Sequence, residues 1–261
     1  MKIKYLMTAG ILLSSFQSNA ASVATETGQE VGLTVSHYAY QEPDLYDYRT
    51  DETLDVNIKG EIVGLDYAST LVMDDAYFVK FDGRFTYGQL DYSGSGNNYN
   101  EPNYYFDIRP LIGKDFDFDG MVLAPYTGLG YRHLMNDGQG ISTTGYWGYR
   151  RKSEYLYLPL GLTHRISTGE SSLLETNIEV DYLLHGNQKS YLSDGNAGYS
   201  DIDNEQHKGY GLRSATMYRM NQFAIGPYFQ YWHIYDSETA GAFIEPNNHT
   251  VEYGIKASMR F

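Results

Sequence analysis

Residues 249–261 read HTVEYGIKASMRF, and their pattern decides the fold class. Every second residue from Val251 to Phe261 is apolar, whereas the residues between them, from Thr250 to Arg260, are small or charged. Alternation with a period of two over the whole segment predicts a β-strand with one apolar and one polar face. Such a strand needs partners of the same kind, so the rest of the chain tests the prediction.

The sequence closes on this strand, with Phe261 as its last residue. A final amphipathic strand that ends in Phe resembles the assembly signal of bacterial outer-membrane β-barrel proteins. The resemblance extends over the mature chain but rests on generic features rather than on a motif of one protein. It implies that the barrel-assembly machinery recognises the last strand through Phe261, and that outer-membrane lipid and lipopolysaccharide surround the protein.

Residues 1–21 have the pattern of a secretory signal peptide. Lys2 and Lys4 precede a mostly apolar stretch, and Ser18-Asn19-Ala20 forms a small-x-Ala cleavage site. We therefore expect export through the Sec pathway to the cell outer membrane, with residues 22–261 as a single barrel domain. Because the chain has no cysteine, it has neither a lipid-acceptor thiol nor disulfides.

Composition narrows the class of protein further. Without Lys2 and Lys4, 17 of the 19 basic residues remain against 33 acidic residues, a net charge of about −16 that argues against nucleic acid as a partner. The chain is 15% aromatic, with 27 Tyr against 2 Trp. For an exported chain these features leave two classes, a secreted β-sandwich or an outer-membrane barrel.

The spacing of the alternating segments favours the barrel. Long and short connections alternate strictly, as expected for up-and-down strands with short periplasmic turns and long extracellular loops. Greek-key sandwiches have no such asymmetry. We predict an all-β, antiparallel, up-and-down transmembrane β-barrel of about ten strands, with eight or twelve still possible because the first and eighth alternate least cleanly. The predicted strands cover residues 29–42, 54–67, 76–92, 103–114, 121–134, 154–166, 172–186, 208–220, 222–235 and 249–261.

Two local features conflict with regular strands. Proline removes a donor from the β-ladder, yet Pro110, Pro125, Pro159 and Pro227 fall inside predicted strands. The second strand also changes parity, because its apolar residues belong to one file before Gly60 and to the other after it. We therefore predict β-bulges near the prolines and between Gly60 and Gly64.

The polar files of the predicted strands face the lumen. Charges of both signs can pair across it, because enclosed charges must be paired or hydrated. Two interpretations remain: a salt-bridged plug, or a narrow water-filled ion path. Either describes a non-enzymatic, surface or porin-like protein with a charged lumen and no cofactor or metal. The residues expected to line or plug the lumen are Arg84, Arg109, Arg132, Glu179 and Asp181.

One predicted outer loop, 135–153, is basic and aromatic, whereas the loops 43–53, 187–207 and 236–248 each carry a net charge of −3. Arg and Lys can hold phosphate or sulfate groups while aromatic rings stack on sugars. The loop therefore predicts either anchoring to the cell's own lipopolysaccharide or a surface adhesin that binds an extracellular glycan or matrix ligand. The candidate ligand-binding residues are Tyr146, Trp147, Tyr149, Arg150, Arg151 and Lys152.

A catalytic alternative rests on Asp181 and His185, which the alternation places on one face near the outer end of the seventh strand. A His held by a carboxylate can act as a general base, and ten-stranded omptin proteases use Asp and His residues at their outer rim. The chain offers no second pair of aspartates on its early strands, so an omptin-like hydrolase is the weakest of the three functions. Asp201, Asp203 and Glu205 alternate in an outer loop, but their spacing alone is weak support for a cation site.

Overall fold

The computed structural model describes residues 22–47, 51–241 and 243–261. The predicted signal peptide, residues 1–21, lies outside the described residues. In these ranges no helix is long and apolar enough to cross a membrane. The strands are β1 (Gly28–Asp47), β2 (Glu52–Val72), β3 (Tyr77–Ser93), β4 (Asn97–Lys114), β5 (Phe116–Phe118), β6 (Met121–Gly128), β7 (Gly130–Ile141), β8 (Trp147–Gly169), β9 (Ser172–Ser190), β10 (Ile202–Gln206), β11 (Gly209–Met220), β12 (Phe223–Ile234) and β13 (Asn248–Arg260).

Ten strand positions form a closed antiparallel ring, which confirms the predicted barrel. The last strand closes the ring on the first, with Tyr253 opposite His37 and Arg260 opposite Glu30. Phe261 extends this seam, because its N–H donates to the Gln29 carbonyl at 2.9 Å. β6 and β7 together occupy one position of the ring, whereas β5 and β10 pair only along the edges of β6 and β9. We call the end that holds both termini the terminal end and the opposite end the distal end.

The interruption between β6 and β7 has a simple cause. β4 pairs with both pieces in one unbroken register, and the ladder is interrupted at Arg109 and Pro110, opposite Gly130 and Leu129. The Leu129 N–H still donates to the Pro110 carbonyl at 3.1 Å. Proline has no N–H to return the second bond. At this position the proline therefore leaves a gap in the ladder rather than the predicted bulge.

Strand length differs most from the prediction at the distal end. The predicted loops 43–53, 93–102 and 135–153 are mostly β-hairpin, since β1, β3, β4, β7 and β8 extend well into them. There the outward residues become polar, so the apolar alternation fades although the backbone ladder continues. The two longest distal connections lie after β9, where β10 forms part of the link, and between β12 and β13.

The two faces of the barrel differ as expected for a membrane protein. The outward file is apolar and exposed, as at Leu33 (66%) and Val35 (62%), while Thr34 and Ser36, which alternate with them, are buried. The predicted bulge in β2 is wrong, because its pairing with β1 runs in constant register past Gly60 and Gly64. Val56 and Ile58 simply face the interior and are buried. The apparent change of parity arose because the distal part of the lumen is itself apolar.

A ring of tyrosine and histidine side chains surrounds the barrel where the outward apolar band gives way to polar residues. The ring centroids of His37 and Tyr253 lie 5.5 Å apart, and those of Tyr104 and His133 lie 6.1 Å apart. On the opposite side Tyr210 and His233 are separated by 5.6 Å. Aromatic girdles of this kind mark the interfaces of membrane-spanning barrels.

Candidate functional site

The lumen contains charged side chains that are paired from strand to strand. Arg213 is the centre of the largest group: its Nε donates to Asp181 Oδ2 at 2.6 Å and its Nη2 to Asp107 Oδ2 at 2.8 Å. The Tyr157 hydroxyl also donates to Asp107, at 2.5 Å. All four side chains are buried. Because burial makes an unpaired charge costly, these contacts fix one arrangement of the interior.

Two further arginines each connect their own strand to one that is not its neighbour in the ring. Arg109 on β4 donates to Asp82 on β3 and to Glu179 on β9, both at 2.5 Å. Arg84 donates to Glu252 on β13 at 2.5 Å. These ion pairs bridge residues far apart in sequence, so they tie the strands together across the interior.

Glu252 is the most heavily bonded carboxylate of the lumen. Besides Arg84, it accepts hydrogen bonds from the hydroxyls of Ser36 at 3.0 Å, Tyr105 at 2.6 Å and Tyr228 at 2.7 Å. Only 1% of its surface is exposed. A carboxylate with four donors satisfies the requirement that buried polar groups be paired.

An aromatic layer lies on the distal side of these ion pairs. Trp232 packs edge-on against Tyr157 (5.1 Å between ring centroids) and parallel to Tyr155 (6.0 Å). The Arg132 guanidinium lies 4.0 Å from the centroid of Tyr105 and 5.7 Å from that of Trp232, in cation–π geometry. All five side chains are buried. Ion pairs and aromatic rings together occupy the middle of the barrel, and a cavity of about 110 Å³ remains among the charged side chains.

The terminal end is wider. A cavity of about 220 Å³ opens there and reaches inward to Asp82 and Arg109. The segment 22–27 crosses this opening: the Thr25 hydroxyl donates to Asp115 at 2.7 Å, and Arg165 donates to the same hydroxyl at 2.9 Å. The chain that precedes β1 thus narrows the entrance from the terminal side.

The structure places the five predicted lumen residues, Arg84, Arg109, Arg132, Glu179 and Asp181, inside the barrel, and each has an ion-pair partner there. Sequence reasoning missed the aromatic layer. Tyr157 and Trp232 belong to the inward files of their strands, which is the one signal that could have identified them. An inward aromatic residue is not distinguishable from a girdle residue by its type alone.

The predicted pairing of Asp181 with His185 is wrong. The register between β8 and β9 shifts at this point: Leu156 pairs with His185 and Tyr157 with Leu183, which leaves Leu184 as a β-bulge. The extra residue reverses the alternation. Asp181 therefore faces the lumen, where it meets Arg213, and His185 faces the exterior, where its ring lies 5.6 Å from that of His207. The two side chains form no acid–base pair.

The basic residues of the 135–153 hairpin do not form the single exposed patch that the sequence predicts. Its three cations lie on β8 and alternate in direction, and each is already paired. Arg150 makes a bidentate contact with Asp194, with both nitrogen–oxygen distances at 2.8 Å, and these bonds hold the pKa of Asp194 below its usual value. Lys152 lies 2.6 Å from Glu154. Their charges are thus largely neutralised before any anionic ligand arrives.

Arg151 points inward and belongs to a buried cluster near the distal mouth. Its Nη1 donates to Glu42 Oε1 at 2.6 Å, and the Tyr40 hydroxyl donates to the same oxygen at 2.7 Å. Glu245, in the connection between β12 and β13, lies 3.5 Å from that hydroxyl. Burial, followed by the nearby charge of Glu42, raises the pKa of Glu245. The positive charge of Arg151 thus interacts with the carboxyl groups of both Glu42 and Glu245.

A small distal pocket of about 160 Å³ lies beside this cluster. Trp147 and Tyr146 are exposed at its rim, at 61% and 49%. At its base Glu101 is buried and accepts hydrogen bonds from the side-chain amides of Asn98 at 2.9 Å and Asn136 at 3.0 Å. The predicted residues Tyr149 and Arg151 also line it, whereas Arg150 and Lys152 do not. We call this the distal pocket.

Solved structures of known proteins share the fold. The outer membrane protease OmpT from Escherichia coli matches with a TM-score of 0.52 and 10% identity, over 92% of this chain and 100% of that one. The fold is that of bacterial outer-membrane β-barrels. The translocator domain of the autotransporter NalP from Neisseria meningitidis matches with a TM-score of 0.48 and 13% identity, over 91% of this chain and 90% of that one. No family model and no curated protein matches the sequence.

These likenesses concern the path of the backbone alone, because so low an identity carries no residue roles between chains. The function has to be inferred from the side chains of this protein. Two parts of the protein offer chemistry: the charged and aromatic interior, and the distal surface with its pocket.

Proposed function

We propose that this protein is an integral outer-membrane β-barrel with a closed lumen, a non-enzymatic surface protein rather than a diffusion pore. The observation that carries the proposal is the pairing of Arg213, Arg109 and Arg84 with carboxylates across the interior, next to the layer around Trp232. A pore needs a continuous hydrated path, whereas here the middle of the barrel is occupied by side chains that hold one another in place.

The exterior supports the membrane location. Outward residues such as Leu33 and Ile178 (61% exposed) would be unfavourable in water but suit a hydrocarbon surround. In this orientation the terminal end lies in the periplasm and the distal end outside the cell. The outer ring of tyrosine and histidine then meets the headgroups of lipopolysaccharide, and the β13 strand with Phe261 is the segment offered to the barrel-assembly machinery.

Solute uptake into proteoliposomes tests the closed lumen. The refolded mature protein should produce no swelling of vesicles in isotonic arabinose, although heat-modifiable gel mobility shows that it is folded. The double variant Tyr157→Ser with Trp232→Gly, which removes two rings of the aromatic layer, should increase the swelling rate. Swelling by the unaltered protein at the rate of a general porin would refute the proposal.

The distal pocket favours a second candidate function, the recognition of an extracellular glycan. Trp147 and Tyr146 offer faces for a sugar ring, and the buried Glu101 with the half-buried Asn98 and Asn136 offers polar groups that can bond hydroxyls. Because the nearby cations are already paired, we expect hydroxyl-rich neutral sugars rather than sulfated ones. On a glycan array Trp147→Ala should abolish any specific signal of the unaltered protein, whereas Trp232→Phe, inside the barrel, should retain it. An equal signal from Trp147→Ala would exclude the pocket.

A further inference from the structure

Two histidines and two glutamates meet on the distal surface, away from the lumen and the distal pocket. Glu205 lies in β10, His207 follows it, and Glu238 lies in the connection between β12 and β13. His185 is adjacent on β9. We propose that Glu205, His207 and Glu238, with His185 beside them, form a binding site for a divalent first-row metal ion of the Zn²⁺ type.

The separations of the donor atoms suit a single ion. His207 Nε2 lies 3.5 Å from Glu205 Oε2 and 3.4 Å from Glu238 Oε1, and one donor atom from each of the three residues falls within 4.8 Å of the others. A tetrahedral zinc site with bonds of about 2.0–2.2 Å places its donor atoms about 3.3–3.6 Å apart. The three side chains therefore need little movement to bind an ion.

The backbone holds the two ligand-bearing segments together. The Glu238 N–H donates to the Glu205 carbonyl at 2.8 Å, and the Asn204 amide donates to the Glu238 carbonyl at 3.3 Å. β10 is in turn paired with β9, with Gln206 opposite Gly186. Although the donor side chains are exposed, their Cα atoms are fixed by these bonds. A bound ion would connect the two longest distal connections.

His185 is brought to this site by the β-bulge at Leu184. Without the extra residue it would face the lumen with Asp181; with it, the ring lies 5.6 Å from that of His207. A rotation of the exposed side chain places a second imidazole at the ion. The bulge thus explains both why the predicted catalytic pair does not form and how a fourth ligand becomes available.

The donor set indicates the class of metal. Imidazole nitrogen favours zinc, copper and nickel, whereas calcium and magnesium prefer sites built only from oxygen. Two carboxylates with neutral imidazoles carry a charge of −2, which matches a divalent ion. The site lies on the outer surface, so the ion can enter from the medium.

Isothermal titration of ZnCl₂ into the refolded full-length mature protein tests the site. We expect one ion per chain, with His207→Ala and Glu238→Gln each weakening the affinity at least about tenfold, and with CaCl₂ unable to compete at equal concentration. His249→Gln is the matched control: it removes another outward histidine, whose Nε2 lies 2.8 Å from the Gln41 side chain, and should bind as the unaltered protein does.

Three results would overturn the proposal. One is an unchanged affinity in both ligand variants. Another is an equal loss in His249→Gln, which would place the ion at the tyrosine and histidine ring. The third is equal competition by calcium, which would indicate a site made by carboxylates alone. Because both ligand residues are exposed, gel mobility should show that the variants still fold.

Discussion

Replacing Arg84 by Met tests whether the lumen charges behave as buried ion pairs. Arg84 Nη2 lies 2.5 Å from Glu252 Oε1, and the two side chains are 9% and 1% exposed. The variant leaves Glu252 with hydrogen bonds from three hydroxyls but without a counter-charge at that distance. Breaking a buried pair by removing one partner costs about 3–5 kcal/mol. Because the hydroxyl donors remain, we expect the lower part of that range, about 3 kcal/mol.

The double variant Arg84→Met with Glu252→Gln separates charge from packing. A neutral Gln needs no counter-charge and still accepts hydrogen bonds, so the second change should restore part of the loss. We expect a coupling energy of about 1–3 kcal/mol in the cycle. Urea unfolding in lipid vesicles gives each free energy, with the fluorescence of the buried Trp232 as the reporter.

Lys189→Met is the control for a solvated pair. Lys189 Nζ lies 3.1 Å from Asp203 on the distal surface, where the partners are 25% and 54% exposed, and such pairs contribute at most about 1 kcal/mol. If Arg84→Met costs no more than Lys189→Met, water screens the lumen charges. The interior would then be an open aqueous path, and the argument for a plug would fail.

Three further predictions concern the ends of the barrel. Because the pKa of Glu245 is raised, the folded state binds the proton of this carboxyl group more tightly than the unfolded state does. The melting temperature should therefore fall as the pH rises from the usual glutamate pKa to the raised one. Glu245→Gln should make this fall smaller. Asp194→Asn frees the Arg150 guanidinium from its bidentate contact, so the variant should elute from heparin–agarose at higher salt than the unaltered protein, and identical elution would contradict the pairing. Phe261→Ala should lower the yield of folded barrel in proteoliposomes that contain the assembly machinery, while spontaneous refolding in detergent stays unchanged; an equal loss in both would indicate a stability effect instead.

The barrel was predictable because the sequence features that specify it repeat regularly along the chain. One apolar file and one polar file identify each strand, and alternating connection lengths place the turns, so the ring and the inward direction of Arg84 or Glu179 follow from sequence. A break in the period is not visible in the sequence. At Leu184 one extra residue moves His185 to the opposite face, and the sequence around it, with adjacent Leu183 and Leu184, fits either register.

The candidate sites were less predictable because they depend on partners from distant strands. The neutralisation of Arg150 requires Asp194, which follows β9, and the cluster of His207 with Glu238 joins two different distal connections. Such proximity is set by register and by loop folding rather than by local pattern. The apolar interior at Val56 and Ile58 misled for a different reason: the inward file of β2 keeps its direction throughout, but it is apolar near the distal end and polar at Asp66.

The central claim, a lumen closed by its own side chains, is tested most directly by single-channel recording in a planar bilayer. Heat-modifiable gel mobility first confirms that the refolded mature protein is folded. The protein should then give a flat current trace in about 1 M KCl, where exposed charges are screened within about 3 Å. The double variant Tyr157→Ser with Trp232→Gly should give current steps, which proves insertion. Discrete, salt-dependent steps from the unaltered protein would contradict the closed lumen and make the barrel a transport channel.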